Sequence, residues 1–354
     1  MSDSFTIRSQ ESAKMSHQHQ SDGSRPGFTI VELLAVIGAI SLLLAVLLVG
    51  LQSASRAANN TRSMSNLRQV FIGWTSYSNT YNDRLLPGYI SDGVQDYWRV
   101  RYNSPTGSRL DPSVAATYPW RLLPFLDNQL EPMFGYLEDS RALENSYANE
   151  NDPSHQDALR EISEVPEFGY NAYYLGGWWK MNNGVAHLLF GDTPADIQVG
   201  NDVRTVKGRL VALSAGSIRQ PERQIAFSCS TLRKPGVYIR EENIPNGAPW
   251  VVPSRLCETT IWEEYGGTRV DLTTSIAQSA GEGMEVFVEQ AVPLRRHGVT
   301  IPSLTCDGAT SQIGLSDMLS MDRWTSVAME AVGSPRDFSH ECDPVANNGE
   351  FGSN

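Results

Sequence analysis

The chain predicts an α+β fold in which one long N-terminal helix lies against a mainly antiparallel β-sheet. Three observations lead there. No proline interrupts the stretch between Pro26 and Pro87, so a helix can run through it unbroken. Beyond Arg84, glycine and proline recur, and short β-type runs alternate with turn-forming clusters. No internal repeat of fixed period is present, which leaves a helix packed on a sheet as the layered solution.

Composition bounds the rest. The chain has 354 residues, 40% of them apolar, enough to build a core for one large or two small domains. Its 28 basic and 40 acidic residues give a net charge of −12, which argues against a nucleic-acid surface. Basic charge is nearly all arginine; the lysines are Lys14, Lys180, Lys207 and Lys234. Cys229, Cys257, Cys306 and Cys342 form no C-x-x-C pair, so zinc ribbons and thioredoxin-like sites are not indicated. Four cysteines permit two disulfides in any of three pairings, or four small buried thiols.

Residues 1–26 are polar, with basic and acidic side chains in balance, and cannot build a core. From Phe28 to Leu51 run 24 residues carrying one charge, Glu32, long enough to span a bilayer. A secretory signal has a shorter apolar region, although "SAS" at 53–55 has the form of a cleavage site. A plain anchor accounts for the length but not for Glu32, since an acid in lipid costs up to about 3 kcal/mol. A buried core helix would be unusual at this length.

Helical patterning continues over 52–83. Ala54, Ala57, Thr61, Met64, Leu67, Phe71, Trp74, Tyr77 and Tyr81 recur every three or four residues, with Arg56, Asn60, Arg62, Arg68 and Asn79 between them. A single helix from about residue 29 to about 81 would be roughly 80 Å long. Its first half is apolar all round and its second amphipathic. "NDRLLPG" at 82–88 ends it.

A domain follows over 84–332. "NAYYL" (171–175), "RLVAL" (209–213), "QIAFS" (224–228), "GVYI" (236–239) and "MEVFVEQ" (284–290) read as strands, and "NNG" (182–184) and "PNG" (245–247) as turns. Residues 91–165 carry few strand signals; "PWRLLPFLD" and "DALREISE" suggest a loop-and-helix insertion. "RHGVTIPSLTCDGATSQIGL" reads as a β-hairpin turning at Asp307–Gly308, with Pro302 marking an edge strand. The tail, 333–354, is polar and reads as unstructured unless Cys342 tethers it.

Two of these stretches resemble a known family. "GFTIVELLAVIGAI" resembles, position by position, the processing site of type IV pilins and type II secretion pseudopilins. The resemblance implies a pilin-like fold, with cleavage by a prepilin peptidase between Gly27 and Phe28, removal of leader 1–27, and N-methylation of Phe28. It also implies that Glu32 neutralises the new α-amine of a neighbouring subunit during assembly, an attraction that is strong in low dielectric. His297, followed nine residues later by Asp307 and Gly308, is similar to the H-x9-DG segment of a bacterial prepilin-type family. "WRLLPFL" and "GYNAYYLGG" resemble other stretches of that family, so the likeness spreads over about 27–324. The chain departs from it in "CDGAT", where the family continues "DGH", and that puts a chemical role for the motif in doubt.

The resemblance implies a structural subunit of a pilus or pseudopilus. Its partners would be the prepilin peptidase, other subunits and the assembly machinery, with the membrane held through 28–51. The leader would be cytoplasmic and the C-terminal domain extracytoplasmic; loop charge alone does not fix that orientation. The alternative is a membrane-anchored extracytoplasmic protein that binds carbohydrate or protein through an exposed aromatic patch and never polymerises. No nucleotide, hydrolase or metalloprotease pattern is present, so no enzyme is expected. His297 and Asp307 supply half a triad, with Cys306 on the opposite face; a turn-forming Asp and a packing His explain them as well. No cofactor is expected. Major pseudopilins hold calcium with C-terminal loop carboxylates, but Asp307, Asp317 and Asp322 lack calcium-loop spacing and are not assigned. The aromatic clusters at 119–126 and 170–179 read chiefly as core, with Trp178 and Trp179 on opposite faces of a strand.

Overall fold

The computed structural model of the chain describes residues 28–135, 140–188, 196–199, 202–205, 210–231, 247–256, 259–265, 269–272, 291–294, 300–330, 336 and 338–340. The chain divides into two compact units, Met1–Ser53 and Ala54–Asn354. Helix α1 (Ile30–Thr80) begins in the first and ends in the second. In the first unit every described side chain is exposed, including the whole apolar run.

In the second unit α1 buries Ser63, Asn66, Leu67, Val70, Gly73, Trp74 and Ser78, a three-to-four spacing that sets one face on the core. Burying Leu67, Val70 and Trp74 contributes about 1.5–3 kcal/mol each. The face starts later than the apolar stripe predicts: Ala54, Ala57 and Thr61 are exposed, and packing begins at Ser63. Two polar side chains open it because partners await them. Ser63 Oγ donates to Glu167 Oε1 at 2.5 Å, and Asn66 Nδ2 donates to the Glu131 carbonyl at 3.3 Å. Gly73 lets the neighbouring loop approach, since a Cβ there would stand 2.8 Å from Leu126 Cδ2. The helix stops at Asn82 and Asp83, both left-handed at φ 54° and 67°, and the Asp83 N–H closes back on the Ser78 carbonyl.

The expected insertion is helical. It holds α2 (Asp92–Trp98), α3 (Pro119–Leu122), α4 (Glu131–Phe134), α5 (Ser140–Ala148) and α6 (His155–Glu164). Helix α6 buries Ala158, Leu159 and Ile162 on one side. Arg121 of α3 is buried, yet it makes no ion pair with a carboxylate among the described residues. Its guanidinium instead donates to the carbonyls of Pro87, Gly88, Ala115 and Ala116, tying the exit of α1 to the insertion.

The main sheet centres on β7 (Ile225–Thr231). It pairs antiparallel with β2 (Phe168–Tyr170), β12 (Val292–Pro293) and β13 (Ile301–Thr305), and β13 pairs with β14 (Thr310–Ile313). All seven β7 residues are buried, as a central strand covered on both faces requires. A second sheet joins β1 (Tyr89–Ile90), β3 (Trp178–Asn182) and β4 (Val185–Leu188), where Asn183 and Gly184 make the positive-φ turn expected of "NNG". Three smaller sheets complete the described strands. They are β5 (Asp196–Val199) with β6 (Asp202–Thr205) and β15 (Phe338–His340), β8 (Arg255–Leu256) with β9 (Thr259–Thr260), and β10 (Trp262–Tyr265) with β11 (Arg269–Leu272).

Four expectations need correction. Pro302 is not on an edge strand: β13 lies between β7 and β14. The β7 ladder is registered only from Ser303, and the Cys229 carbonyl accepts the Leu294 N–H at 3.0 Å, so β12 supplies a donor where proline cannot. Residues 171–175 are a turn rather than a strand, because the Asn171 amide donates to the Ile225 and Trp324 carbonyls and folds the chain over. Within 209–213, Ala212 makes only an isolated bridge to Leu175. In the tail, Phe338–His340 form a strand on β5 with Phe338 and His340 buried and His340 Nε2 3.0 Å from the Tyr174 hydroxyl. The runs at 236–239 and 284–290 lie outside the described residues.

Candidate functional site

The N-terminal end of α1 carries the one charge of the apolar run. Thr29 precedes the helix and accepts the Glu32 N–H on its Oγ1 at 3.2 Å. Glu32 Oε2 in return accepts the Thr29 N–H and the Thr29 hydroxyl, each at 2.9 Å. This reciprocal pair is a capping box, satisfying amide groups that a helix start leaves without partners. The "T-x-x-E" signature was legible in "TIVE", and reasoning that followed only the charge missed it. Glu32 Oε1 accepts no hydrogen bond from the described residues, so one carboxylate oxygen caps its own helix and the other stays open to an outside donor.

Beyond the cap, every large apolar side chain from Phe28 to Leu51 is exposed. The one hydroxyl in the middle of that run, Ser41, donates back to the Ile37 carbonyl at 2.7 Å and leaves no unmet donor on the apolar surface. Helix α1 is long and apolar enough to cross a membrane. Phe28 is exposed, and Gly27 lies outside the described residues. Of the arginines that follow, Arg62 pairs with Glu131 at 3.1 Å.

The hairpin motif is placed in part. His297 lies outside the described residues, whereas Asp307 and Gly308 form the turn between β13 and β14. Asp307 Oδ1 accepts the Thr305 hydroxyl at 2.6 Å and the Ala309 N–H at 3.0 Å, the work of a turn-forming aspartate. Gly308 has φ 91°, the left-handed residue that a three-residue hairpin loop needs. A Cβ at Gly308 would meet the ring of Phe71 on α1 at 2.5 Å, so the turn rests directly on the helix.

Cys306 is a buried thiol; burial, and then the neighbouring Asp307, push its pKa up, which disfavours the thiolate that a nucleophile needs. Cys229 is also buried, its Sγ 3.8 Å from Glu167 Oε1, and Cys257 and Cys342 lie outside the described residues. Asp317 and Asp322 do not join Asp307: Asp322 is buried against Arg223, whose Nε is 2.8 Å from Oδ2. No group of three or more His, Cys, Asp or Glu among the described residues could hold a metal ion.

The aromatic clusters are mainly core. Trp178 is fully buried and stacks on Tyr89, ring centroids 4.3 Å apart and planes 13° from parallel. Trp179, on the opposite strand face, is half-buried and meets the edge of Trp98 at 5.0 Å. Trp120 is buried, and its Nε1 donates to Ser163 Oγ at 2.7 Å. Set against known proteins, the chain matches no family model, no curated protein and no solved structure.

Proposed function

We propose that the protein is a pilin-like subunit, cleaved after Gly27, held in the membrane by residues 28–51 and assembled into a pilus or pseudopilus through that helix. The observation that carries the reading is the N-terminal half of α1, apolar and exposed all round with one carboxylate in its first turn. Such a surface needs lipid or copies of itself to cover it. The acid needs a reason to be there, and an oxygen left open beside the new N-terminus gives one. Cleavage would create an amine at Phe28, and a neighbour's amine could be met by Glu32 Oε1. The leader would lie in the cytoplasm and the domain from residue 84 outside it. Its prepilin peptidase, sister subunits and assembly machinery are the partners this reading requires.

N-terminal sequencing of the protein purified from membranes tests the proposal. The expected sequence begins at an N-methylated Phe28, and Gly27→Leu should keep the leader attached. A mature protein that begins at Met1, or beyond Leu51, would sink it.

A further inference from the structure

A cavity of about 280 Å³ opens in the second unit between the 210–217 segment and the residues that begin the short turn Ser326–Glu330. Hydrogen bonds hold its walls from behind. The Ala212 N–H donates to the Tyr174 carbonyl and the Leu213 carbonyl accepts the Leu85 N–H, each at 2.9 Å; the Thr325 hydroxyl donates to the Leu210 carbonyl at 3.5 Å. The cavity is therefore formed before any ligand enters it. Most of its polar groups are already engaged. Ser217 Oγ donates to the Ser214 carbonyl at 2.6 Å, and Ser214 caps the turn Ala215–Ser217. Gln224 Nε2 donates to the Trp324 carbonyl at 2.8 Å and its Oε1 is sealed, so Gln224 supplies wall and no contact.

Two lining groups are left to meet a ligand. Ser326 is only 8% exposed, yet its hydroxyl has no hydrogen-bond partner among the described residues and is not sealed. Arg219 lines the cavity and is exposed; it already interacts within the chain, but a guanidinium has five donors and can hold a second partner. Among the described residues no Asp or Glu lines the cavity, in a chain whose net charge is −12. A cation and an open hydroxyl with no acid against them select an anion. The remaining wall is aliphatic, through Leu210, Val211, Ala212, Leu213 and Val327, which favours an anion with a carbon tail over inorganic phosphate. The planar fork of arginine matches a carboxylate. The volume lies at the small end for ligand sites, so the tail is limited to a few carbons.

We infer that this cavity binds a short-chain aliphatic carboxylate, its charged end held by Arg219 and Ser326 Oγ and its tail against Val211, Ala212 and Val327. The site is independent of cleavage and assembly. Saturation-transfer NMR on the full chain in an uncharged detergent at neutral pH tests it, with isovalerate, its neutral isostere isovaleramide and inorganic phosphate as probes. Saturation should reach the isovalerate methyl groups, and isovaleramide should bind more weakly. Arg219→Gln should weaken isovalerate about three- to tenfold, a modest loss because the guanidinium is exposed, and should erase the preference over the amide. Ala212→Leu, which narrows the cavity, should weaken both organic probes. If Ala212→Leu does not fold, Arg219→Gln carries the comparison, since an exposed side chain can be replaced without disturbing the core. No transfer to isovalerate from protein that melts cooperatively overturns the inference. So does isovaleramide binding as tightly as isovalerate, or isovalerate binding that Arg219→Gln leaves unchanged. Phosphate that displaces isovalerate at equal concentration assigns a bare-anion site and also overturns it.

Discussion

Gly308, at the tip of the β13–β14 turn, lies so close to Phe71 of α1 that a Cβ at 308 would stand 2.5 Å from Phe71 Cε1. Two constraints therefore meet at one residue. The turn needs a left-handed residue at φ 91°, and the helix leaves no room for a side chain. Gly308→Ala is expected to cost about 1–3 kcal/mol of stability. Chemical denaturation in detergent measures it, and Phe71→Ala should return the steric share but not the backbone share. A cycle with no coupling between the two sites would show that the hairpin does not bear on the helix.

Arg121 is the second element holding α1 to the domain. Its buried guanidinium takes four backbone carbonyls and lies 5.7 Å from the Tyr102 ring centre. Burial pulls its pKa down, yet arginine stays charged. Arg121→Met strands the carbonyls of Pro87, Gly88, Ala115 and Ala116 and should cost about 3 kcal/mol or more. Arg121→Lys should recover little, since three donors on a point charge cannot span four acceptors. Limited proteolysis at the 85–88 segment reads the loss, and a lysine variant as resistant as wild type would contradict the clamp.

Why Arg121 was not legible follows from where its partners sit. Its acceptors belong to two segments on either side of α2, and no spacing rule connects them. Helix α1 was legible because proline is missing and apolar residues recur, and both are local. Of the β3–β4 hairpin, whose two strands were not delimited, the turn was legible for the same reason, through "NNG" at 182–184. The main sheet was not, because β7 collects β2, β12 and β13 from distant parts of the chain. Pro302 misled for a related reason: its missing N–H matters only if β7 needs that donor, and Leu294 supplies one. Ser63 and Asn66 have no place in an apolar stripe, and their partners, Glu167 and the Glu131 carbonyl, are equally remote.

Asp92 offers a pH test. Partial burial, then Asp111 and Asp96, raise its pKa above the ordinary aspartate value. The folded state therefore binds the Asp92 proton more tightly than the unfolded one, and the ionised side chain opposes folding above the raised pKa. That penalty is relieved as pH falls through the raised value. Asp92→Asn should melt higher than wild type at neutral pH, and the difference should vanish in acid, where both side chains are neutral. Equal melting temperatures across the range would show that neither burial nor the two neighbouring carboxylates perturb Asp92.

The capping box separates two roles that Glu32 could play. As a cap it needs only an acceptor oxygen three residues after Thr29; as a partner for a neighbour's amine it needs charge. Glu32→Gln keeps the first and removes the second, while Glu32→Ala removes both. Thr29→Val removes the hydroxyl half of the cap and keeps the charge, at about 1 kcal/mol in helix-end stability. Hydrogen exchange of the 29–33 amides should rank wild type and Gln together, with Ala and Val faster. Filament incorporation should follow a different order, with Gln failing alongside Ala and Val assembling. If Gln assembles as well as wild type, the carboxylate is in that turn to start a helix, and subunit pairing must come from the apolar surface alone.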